Sequence, residues 1–291
     1  MRHVTVFAVA VVLCNPVPAS AKDSAPISLP KTSKWEMKYN PDSCQLLATF
    51  GSGKQRVIFA LTREQPGDRF DLQLIGQPLK FDQIKMPVEL SFGIDGKPGM
   101  HRGIAFTLDG GKLPGVRLSL QRIDGVTSGP DPKAIPAVTR VSEAAVTEVA
   151  FRRVGGKRYR LETDSMGPPL AAMRTCTDDL IKTWGYDPAV EAGLRSGPKP
   201  KTSPSTWLRS ADYPNNSWHN GHNGLVRFRL DVDPSGMPSD CRVLYRTNPD
   251  EFADLTCQLL LKRARFAPAL DSANKPVKTF YINEVRWLME E

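Results

Sequence analysis

The C-terminal part of the chain takes its fold from residues 224–236, which read GLVRFRLDVDPSG. Apolar side chains occupy one face of this stretch and charged side chains the other: Val226, Phe228, Leu230 and Val232 against Arg227, Arg229 and Asp231. A two-residue alternation of this kind is typical of a strand with one buried face. The residues that follow, Asp233-Pro234-Ser235-Gly236, favour a turn. The pattern therefore predicts a half-buried strand followed by a hairpin turn.

Further elements are predicted on either side of this strand. Cys241, Val243 and Tyr245 continue the alternation on a second strand. Apolar residues then recur at helical spacing over 249–265, and Pro268 prevents the helix from continuing. A third strand is predicted over 277–287, and a short helix is predicted before the first strand. The order of short helix, two strands, helix and strand predicts a small α+β domain.

Short motifs occur in a fixed order along the same region: Tyr213-Pro214, Gly224-Leu225-Val226, Asp231-Val232-Asp233-Pro234-Ser235-Gly236, Arg263-Ala264-Arg265-Phe266-Ala267-Pro268-Ala269 and Lys275-Pro276-Val277. In order and spacing they resemble the C-terminal domain of the TonB family. The resemblance covers residues 207–291, which is under a third of the chain. It implies a domain with an antiparallel three-stranded sheet and a role in binding and force transmission rather than catalysis.

The resemblance also implies a way of binding. In the family, a short segment of a partner protein adds to the edge of the third strand, and main-chain hydrogen bonds provide the affinity. The corresponding edge comprises Val277, Lys278, Thr279, Phe280, Tyr281, Ile282 and Asn283. The alternative is that this strand only completes the domain's own sheet. An exposed edge can also pair with a second copy of the chain, so homodimerisation stays open.

The N-terminal region reads as a β-rich domain. From residue 34 to about 159, short alternating runs are separated by Gly, Pro and Asp at the spacing typical of a sandwich or a barrel. A closing helix is predicted over 168–184, because Leu170, Met173, Cys176 and Leu180 form one apolar stripe. The expected fold class is therefore α+β, with a sandwich-like or barrel-like domain closed by a helix and a small TonB-like domain after it.

The expected domain boundaries follow from composition. Residues 22–33 are rich in Ser, Pro and Lys and predict a flexible lead-in to a domain over 34–194. Residues 195–206 have a similar composition and predict an extended, semi-rigid spacer with a reach of about 30 to 40 Å. The C-terminal domain occupies 207–291.

The first residues indicate export. A basic start is followed by an apolar run over 4–13, and Ala19-Ser20-Ala21 is suited to cleavage. This pattern predicts a signal peptide over 1–21, removed after Ala21, and a periplasmic protein. The alternative is an uncleaved anchor in the inner membrane with the protein facing the periplasm. We expect membrane contact only if this segment is retained.

The cysteines suggest disulfides. Removal of the leader leaves Cys44, Cys176, Cys241 and Cys257, an even set in an exported chain. Four cysteines allow three pairings, and their positions favour one bond per domain. A bond from Cys44 to Cys176 would stabilise by about 4 kcal/mol, and one from Cys241 to Cys257 by about 3 kcal/mol. The alternative for the second pair is two buried thiols.

Charge and motifs narrow the functional classes. The net charge is +8, yet the chain from Ser205 onward contains 11 basic and 11 acidic residues. The excess of positive charge therefore lies in the N-terminal half and the linker. The basic residues are not clustered, which argues against nucleic-acid binding. We expect no catalytic site, metal or cofactor, because the sequence carries no nucleophile elbow, phosphate loop or ligand cluster.

Three functional hypotheses remain. The first is an exported periplasmic protein whose C-terminal domain binds a segment of an outer-membrane or periplasmic protein, in transport or envelope contacts. The second is a membrane-anchored energy transducer of the TonB type, although the spacer is short and a β-rich domain takes its place. The third is a periplasmic enzyme with a docking domain, which a deep polar pocket holding His101 and acidic neighbours would favour.

Overall fold

The structure, a computed structural model, describes residues 25–83, 85–126, 135–247 and 249–289. The predicted signal peptide lies outside these residues. In the described chain, no helix is both long enough and apolar enough to cross a membrane.

The N-terminal region forms one curved sheet with the shape of a half-barrel. Its ten strands are β1 (Ile27–Pro30), β2 (Glu36–Asn40), β3 (Ser43–Phe50), β4 (Val57–Arg63), β5 (Arg69–Ile75), β6 (Lys85–Phe92), β7 (Gly99–Leu108), β8 (Leu113–Arg122), β9 (Glu148–Arg153) and β10 (Arg158–Glu162). They are ordered β1-β10-β9-β6-β7-β8-β5-β4-β3-β2. Neighbours are antiparallel except β1 and β10, which are parallel. The sheet curls until Gly51 donates a hydrogen bond to the carbonyl of Pro30 (2.9 Å), so its two ends approach each other.

Helices close this half-barrel. They are α1 (Arg140–Ala145), α2 (Gly167–Thr183) and α3 (Pro188–Ala192). The predicted stripe of α2 is buried: Leu170, Met173, Cys176 and Leu180 belong to the same core cluster as the inward side chains of the strands. The prediction of a barrel-like domain closed by a helix is confirmed.

The C-terminal region contains the predicted order of elements. After β11 (Lys199–Pro200), it comprises α4 (Asn215–His219), β12 (Gly224–Val232), β13 (Pro238–Arg246), α5 (Glu251–Arg263), β14 (Phe266–Ala267), β15 (Ala269–Leu270), β16 (Pro276–Val277) and β17 (Thr279–Trp287). The three long strands form an antiparallel sheet in the order β13-β12-β17. Helix α5 packs on one face of this sheet, where Leu260 joins Phe228 and Leu230 in a buried cluster.

Both disulfides are present in the favoured pairing. One joins Cys44 in β3 to Cys176 in α2, and the other joins Cys241 in β13 to Cys257 in α5. Each bond therefore ties a helix to the sheet of its own domain.

Two predictions about the connecting segments are wrong. The lead-in was expected to be flexible, but Ile27–Pro30 pairs with β10 and buries Leu29 in the core. The linker was expected to be an extended, semi-rigid spacer between the domains, but Lys199–Pro200 pairs with Phe266–Ala267, and the Arg195 amide donates to the carbonyl of Leu270 (2.8 Å). Both segments satisfy their main-chain groups on a neighbouring element, which composition does not reveal. The other predicted domain boundaries stay predictions.

The prediction that strand β12 is half-buried is also wrong. All nine of its residues are buried, including Arg227, Arg229 and Asp231. The face opposite α5 packs against the N-terminal domain, so the charged side chains lie between the two domains rather than in water. The relative placement of the domains thus depends on this strand.

Candidate partner-binding site

The C-terminal sheet has two edge strands, and they differ in regularity. Strand β13 begins at Pro238 and its pairing with β12 is broken by two register shifts. Strand β17 pairs with β12 over nine consecutive residues without a shift. Prolines and bulges blunt an edge against the addition of another strand. Strand β17 is therefore the edge suited to strand addition, and in the described chain no further strand pairs with its outer side.

The main-chain groups that point away from the sheet can be assigned from neighbouring hydrogen bonds. The Thr247 amide donates to the carbonyl of Leu225 (3.0 Å), so Leu225 directs its main chain toward β13. Because this direction alternates along a strand, the even-numbered residues of β12 bond to β17. Through the register Phe228 to Asn283, the odd-numbered residues of β17 bond back to β12. The residues of β17 whose main-chain groups face outward are then Phe280, Ile282, Glu284 and Arg286.

Asn283 modifies this edge. Its side-chain oxygen accepts a hydrogen bond from the outward amide of Glu284 (2.8 Å), and its side-chain nitrogen donates to the Tyr281 hydroxyl (2.7 Å). Burial raises the pKa of Tyr281, so this hydroxyl stays neutral and is able to accept. A partner strand that takes the Glu284 amide must therefore displace only one side chain.

The strand is held firmly on the side of α5. The ring of Tyr281 lies 5.0 Å from that of Phe266 and 6.0 Å from that of Trp207, measured between centroids. Trp207 and Phe266 are fully buried. This packing fixes β17 before any partner arrives, which reduces the entropy that binding must overcome.

The N-terminal domain covers the beginning of the strand. The Phe280 ring packs edge-on against Trp184 (5.6 Å) and Tyr186 (5.1 Å). The Tyr186 hydroxyl donates to the main-chain carbonyl of Thr279 (3.1 Å), and the Thr279 hydroxyl donates to Glu191 (2.8 Å). Burial raises the pKa of Tyr186 above its usual range, so the hydroxyl remains a donor.

The predicted site residues thus fall into different environments. Val277 belongs to β16, where it pairs with Ala269, and Lys278 stands between the two strands with its ammonium group 5.1 Å from the Tyr186 ring. Thr279 and Phe280 are buried, whereas Tyr281, Ile282 and Asn283 are half-buried. The first two residues of β17 are therefore more buried than those that follow, and the sequence pattern did not include Glu284 or Arg286.

A buried ion network fixes the sheet on the N-terminal domain. Asp71 accepts hydrogen bonds from Arg117 (2.5 Å) and from Arg227 (2.8 Å), and Arg227 also pairs with Glu64 (3.1 Å). Tyr245 places its ring 4.6 Å from the Arg117 guanidinium. Two cations and two carboxylates balance each other here, which is the condition for keeping charges in a dry interface.

Burial affects the protonation of this network. It raises the pKa of Glu64, although Arg227 opposes that effect. Burial also acts to lower the pKa of Arg117, but the neighbouring Asp71 outweighs it and the net shift is upward. Arg117 therefore remains charged and keeps its bond to Asp71.

Two more contacts extend the interface. The guanidinium of Arg229 lies 4.2 Å from the Trp184 ring, and Arg242 pairs with Asp42 (2.7 Å) in the turn between β2 and β3. Sequence reasoning missed all of these partners. The charged face of β12 gave no signal of this burial, because a solvated strand face carries the same alternating charged residues.

His101 does not lie in the kind of pocket that would favour an enzyme. It borders a cavity of 230 Å³ whose described lining is Ser119, Leu120, Gln121, Arg122, Gly125 and Val126. This described lining contains no carboxylate, and burial lowers the pKa of His101. The cavity therefore gives the enzyme hypothesis no support.

The fold is a small module in which one helix packs on a three-stranded antiparallel sheet. Residues 209–289 match the family described as Gram-negative bacterial TonB protein C-terminal. The resemblance seen in the sequence is thus confirmed for this domain. No curated protein and no solved structure matches the chain.

Proposed function

We propose that this protein is an exported periplasmic protein that binds an extended segment of an outer-membrane or periplasmic protein by strand addition to β17. The observation that carries the proposal is the contrast between the two edges of the C-terminal sheet. Strand β17 is regular over nine pairs, whereas β13 is interrupted twice. The family match of residues 209–289 supports a role in envelope transport or contacts.

The geometry favours partner binding at the part of the β17 edge from Ile282 to Arg286. The outward main-chain groups of Ile282, Glu284 and Arg286 provide donors and acceptors at a spacing that an extended peptide can match. The ring of Tyr281 packs on Phe266 on one face of the strand, and Ile282 packs against the N-terminal domain on the other. The role proposed is therefore binding, not catalysis.

Replacement of Glu284 by proline tests this proposal. It removes one outward main-chain donor without removing a bond to β12. A photo-reactive side chain at Arg286, which is 58% exposed, is introduced into the full-length protein, and cross-linking is carried out with a Gram-negative envelope fraction. We expect a discrete adduct whose yield falls at least tenfold with Glu284→Pro, since an unsatisfied donor or acceptor costs about 1 to 3 kcal/mol.

Glu284→Ala is the matched control, because it removes the same side chain but keeps the amide. Its adduct yield should stay within about twofold of the unsubstituted protein, because the proposed pairing uses the main chain, which alanine retains. A photo-reactive group at the exposed Ser239 of β13 should give no adduct. Equal cross-linking from β13, or an adduct that survives Glu284→Pro, would contradict binding at β17.

Export is a separate prediction. We expect a soluble mature chain that begins at Lys22, as N-terminal sequencing of the periplasmic fraction would show. This start would leave five residues, 22–26, before β1. An intact chain beginning at Met1 in the membrane fraction would instead favour a membrane-anchored energy transducer.

A further inference from the structure

We infer that the Asn283 side chain competes with the partner strand for the main-chain amide of Glu284 and thereby sets the affinity of the β17 edge. The inference rests on the proposed function, because it concerns the same site. The carboxamide oxygen of Asn283 accepts the hydrogen bond of that amide (2.8 Å). The amide points away from β12 and is one of the groups that a partner would use. A partner carbonyl therefore reaches it only after Asn283 has released it.

The outward direction of the Glu284 amide follows from two hydrogen bonds of β12. Leu225 directs both main-chain groups toward β13, since its amide donates to the Thr247 hydroxyl (2.9 Å) and its carbonyl accepts from the Thr247 amide (3.0 Å). The direction alternates along a strand, so Arg227, two residues further, also faces β13. Arg227 lies directly opposite Glu284. Opposite residues of an antiparallel pair either bond to each other or both point away, so Glu284 points away from β12.

Tyr281 orients the Asn283 side chain. The two residues are two positions apart on β17, so their side chains share one face of the strand. The side-chain nitrogen of Asn283 donates to the Tyr281 hydroxyl (2.7 Å), and the Tyr281 ring packs on Phe266 with the centroids 5.0 Å apart. One carboxamide is thus held by a hydrogen bond at each end. Its oxygen is therefore directed at the Glu284 amide before any partner arrives.

The strength of this hydrogen bond determines the size of the competition. An intramolecular hydrogen bond in water shifts an equilibrium by about two- to tenfold. The Glu284 amide is therefore bonded to Asn283 for most of the time and free for the remaining fraction. A site that is free for only a fraction of the time binds its ligand with an apparent affinity reduced by that fraction. Exchange of the amide hydrogen with water also requires the free form. One factor thus governs both partner affinity and the exchange rate.

The competition has a use when no partner is bound. An open edge strand pairs readily with unrelated strands, and proteins limit this risk at their sheet edges. Asn283 acts at Glu284, in the middle of the stretch from Ile282 to Arg286. A partner that also bonds to Ile282 and Arg286 gains more than the competition removes. A strand that matches Glu284 alone gains little, so the competition favours partners that pair along the whole stretch.

Amide hydrogen exchange of the full-length protein, measured by NMR without any partner, tests the bond from Asn283 to Glu284. In Asn283→Ala, the Glu284 amide should exchange about two- to tenfold faster, after correction for the intrinsic rate of the new sequence. The amides of Ile282, which points outward, and Tyr281, which bonds to β12, should keep their rates and thus show that the strand is intact. An unchanged Glu284 rate would overturn the inference.

Two further variants change the same bond in opposite directions. Asn283→Asp keeps the shape of the side chain, and its carboxylate accepts a stronger hydrogen bond, so the Glu284 amide should exchange more slowly than in the unsubstituted protein. Tyr281→Phe keeps the ring on Phe266 but removes the hydroxyl that orients Asn283. The Glu284 amide should then exchange faster, though by less than in Asn283→Ala. Faster exchange in Asn283→Asp would contradict the inference.

Cross-linking from a photo-reactive group at Arg286, with graded amounts of the Gram-negative envelope fraction, then compares partner affinities. The amount that gives half of the maximal adduct should fall in Asn283→Ala by the factor by which Glu284 exchange rises, and it should increase in Asn283→Asp. Asn220→Ala, at an exposed asparagine after α4, should change neither quantity.

The outcomes separate this inference from the proposed function. If Asn283→Ala speeds exchange at Glu284 but requires the same amount of envelope fraction, or more, the side chain does not compete with the partner and the inference is wrong. If no variant gives an adduct, the proposed function fails. The inference fails separately if the Glu284 exchange rate does not respond to the substitutions of Asn283.

Discussion

Replacement of Asp71 by alanine is expected to lower the free energy of unfolding by about 3 to 5 kcal/mol. The Asp71 carboxylate accepts bonds from two arginines of different domains and from the main-chain amide of Leu120 (3.0 Å). It is 3% exposed, so water cannot replace it. Its removal takes from Arg117 and Arg227 the carboxylate that they share and leaves Glu64 as the ion-pair partner of Arg227. The cost of an unpaired buried cation is what makes the effect large.

Urea denaturation measures this change. It should be followed by tryptophan fluorescence, to which Trp184 in the interface contributes, and by circular dichroism, because two domains need not unfold together. Asp179→Ala is the control: its ion pair with Lys182 is about half exposed, and we expect a change below about 0.5 kcal/mol. A loss below about 1 kcal/mol for Asp71→Ala would show that water enters the interface and that the network does not hold the domains together.

Strand β12 shows how far the sequence predicts this fold. Its alternation correctly identifies the face that packs on α5, because apolar side chains at two-residue spacing lie on one face of a strand and are buried together. The same alternation wrongly assigns the arginine face to solvent. Asp71 lies 156 residues before Arg227, and no local pattern links them. Burial of a charged face depends on partners from another domain, so it becomes visible only when both domains are placed.

The candidate site, too, is predicted by the sequence only in part. The motifs around Lys275-Pro276-Val277 locate the third strand to within two residues of its start at Thr279. They cannot show which main-chain groups face outward, because this depends on the hydrogen-bond register with β12. Nor can they reveal the hydrogen bonds that Tyr186 and Glu191 make with Thr279. Tyr186 and Glu191 are single residues of a connecting segment, and their role arises from where the N-terminal domain lies.

Removal of the bond between Cys44 and Cys176, by replacing both residues with alanine, is expected to lower the free energy of unfolding by about 4 to 5 kcal/mol. The two cysteines are 132 residues apart, so the bond excludes many conformations of the unfolded chain. Each cysteine is 1% exposed, and their side chains pack among the inward residues of the half-barrel. The bond attaches α2 to β3, and α2 fills the interior of the sheet. Loss of the bond therefore affects the longest of the helices that close the half-barrel.

The second disulfide provides the comparison. Cys241 and Cys257 are 16 residues apart, so replacing both with alanine should cost about 3 kcal/mol, which is less by 1 to 2 kcal/mol. Thermal and urea unfolding of the two double variants, under the same non-reducing conditions, measure the difference. If the short loop proves as costly as the long one, local packing rather than chain entropy determines the contribution of each bond. The ranking of the two losses in unfolding free energy thus tests whether chain entropy explains the larger contribution of the bond between Cys44 and Cys176.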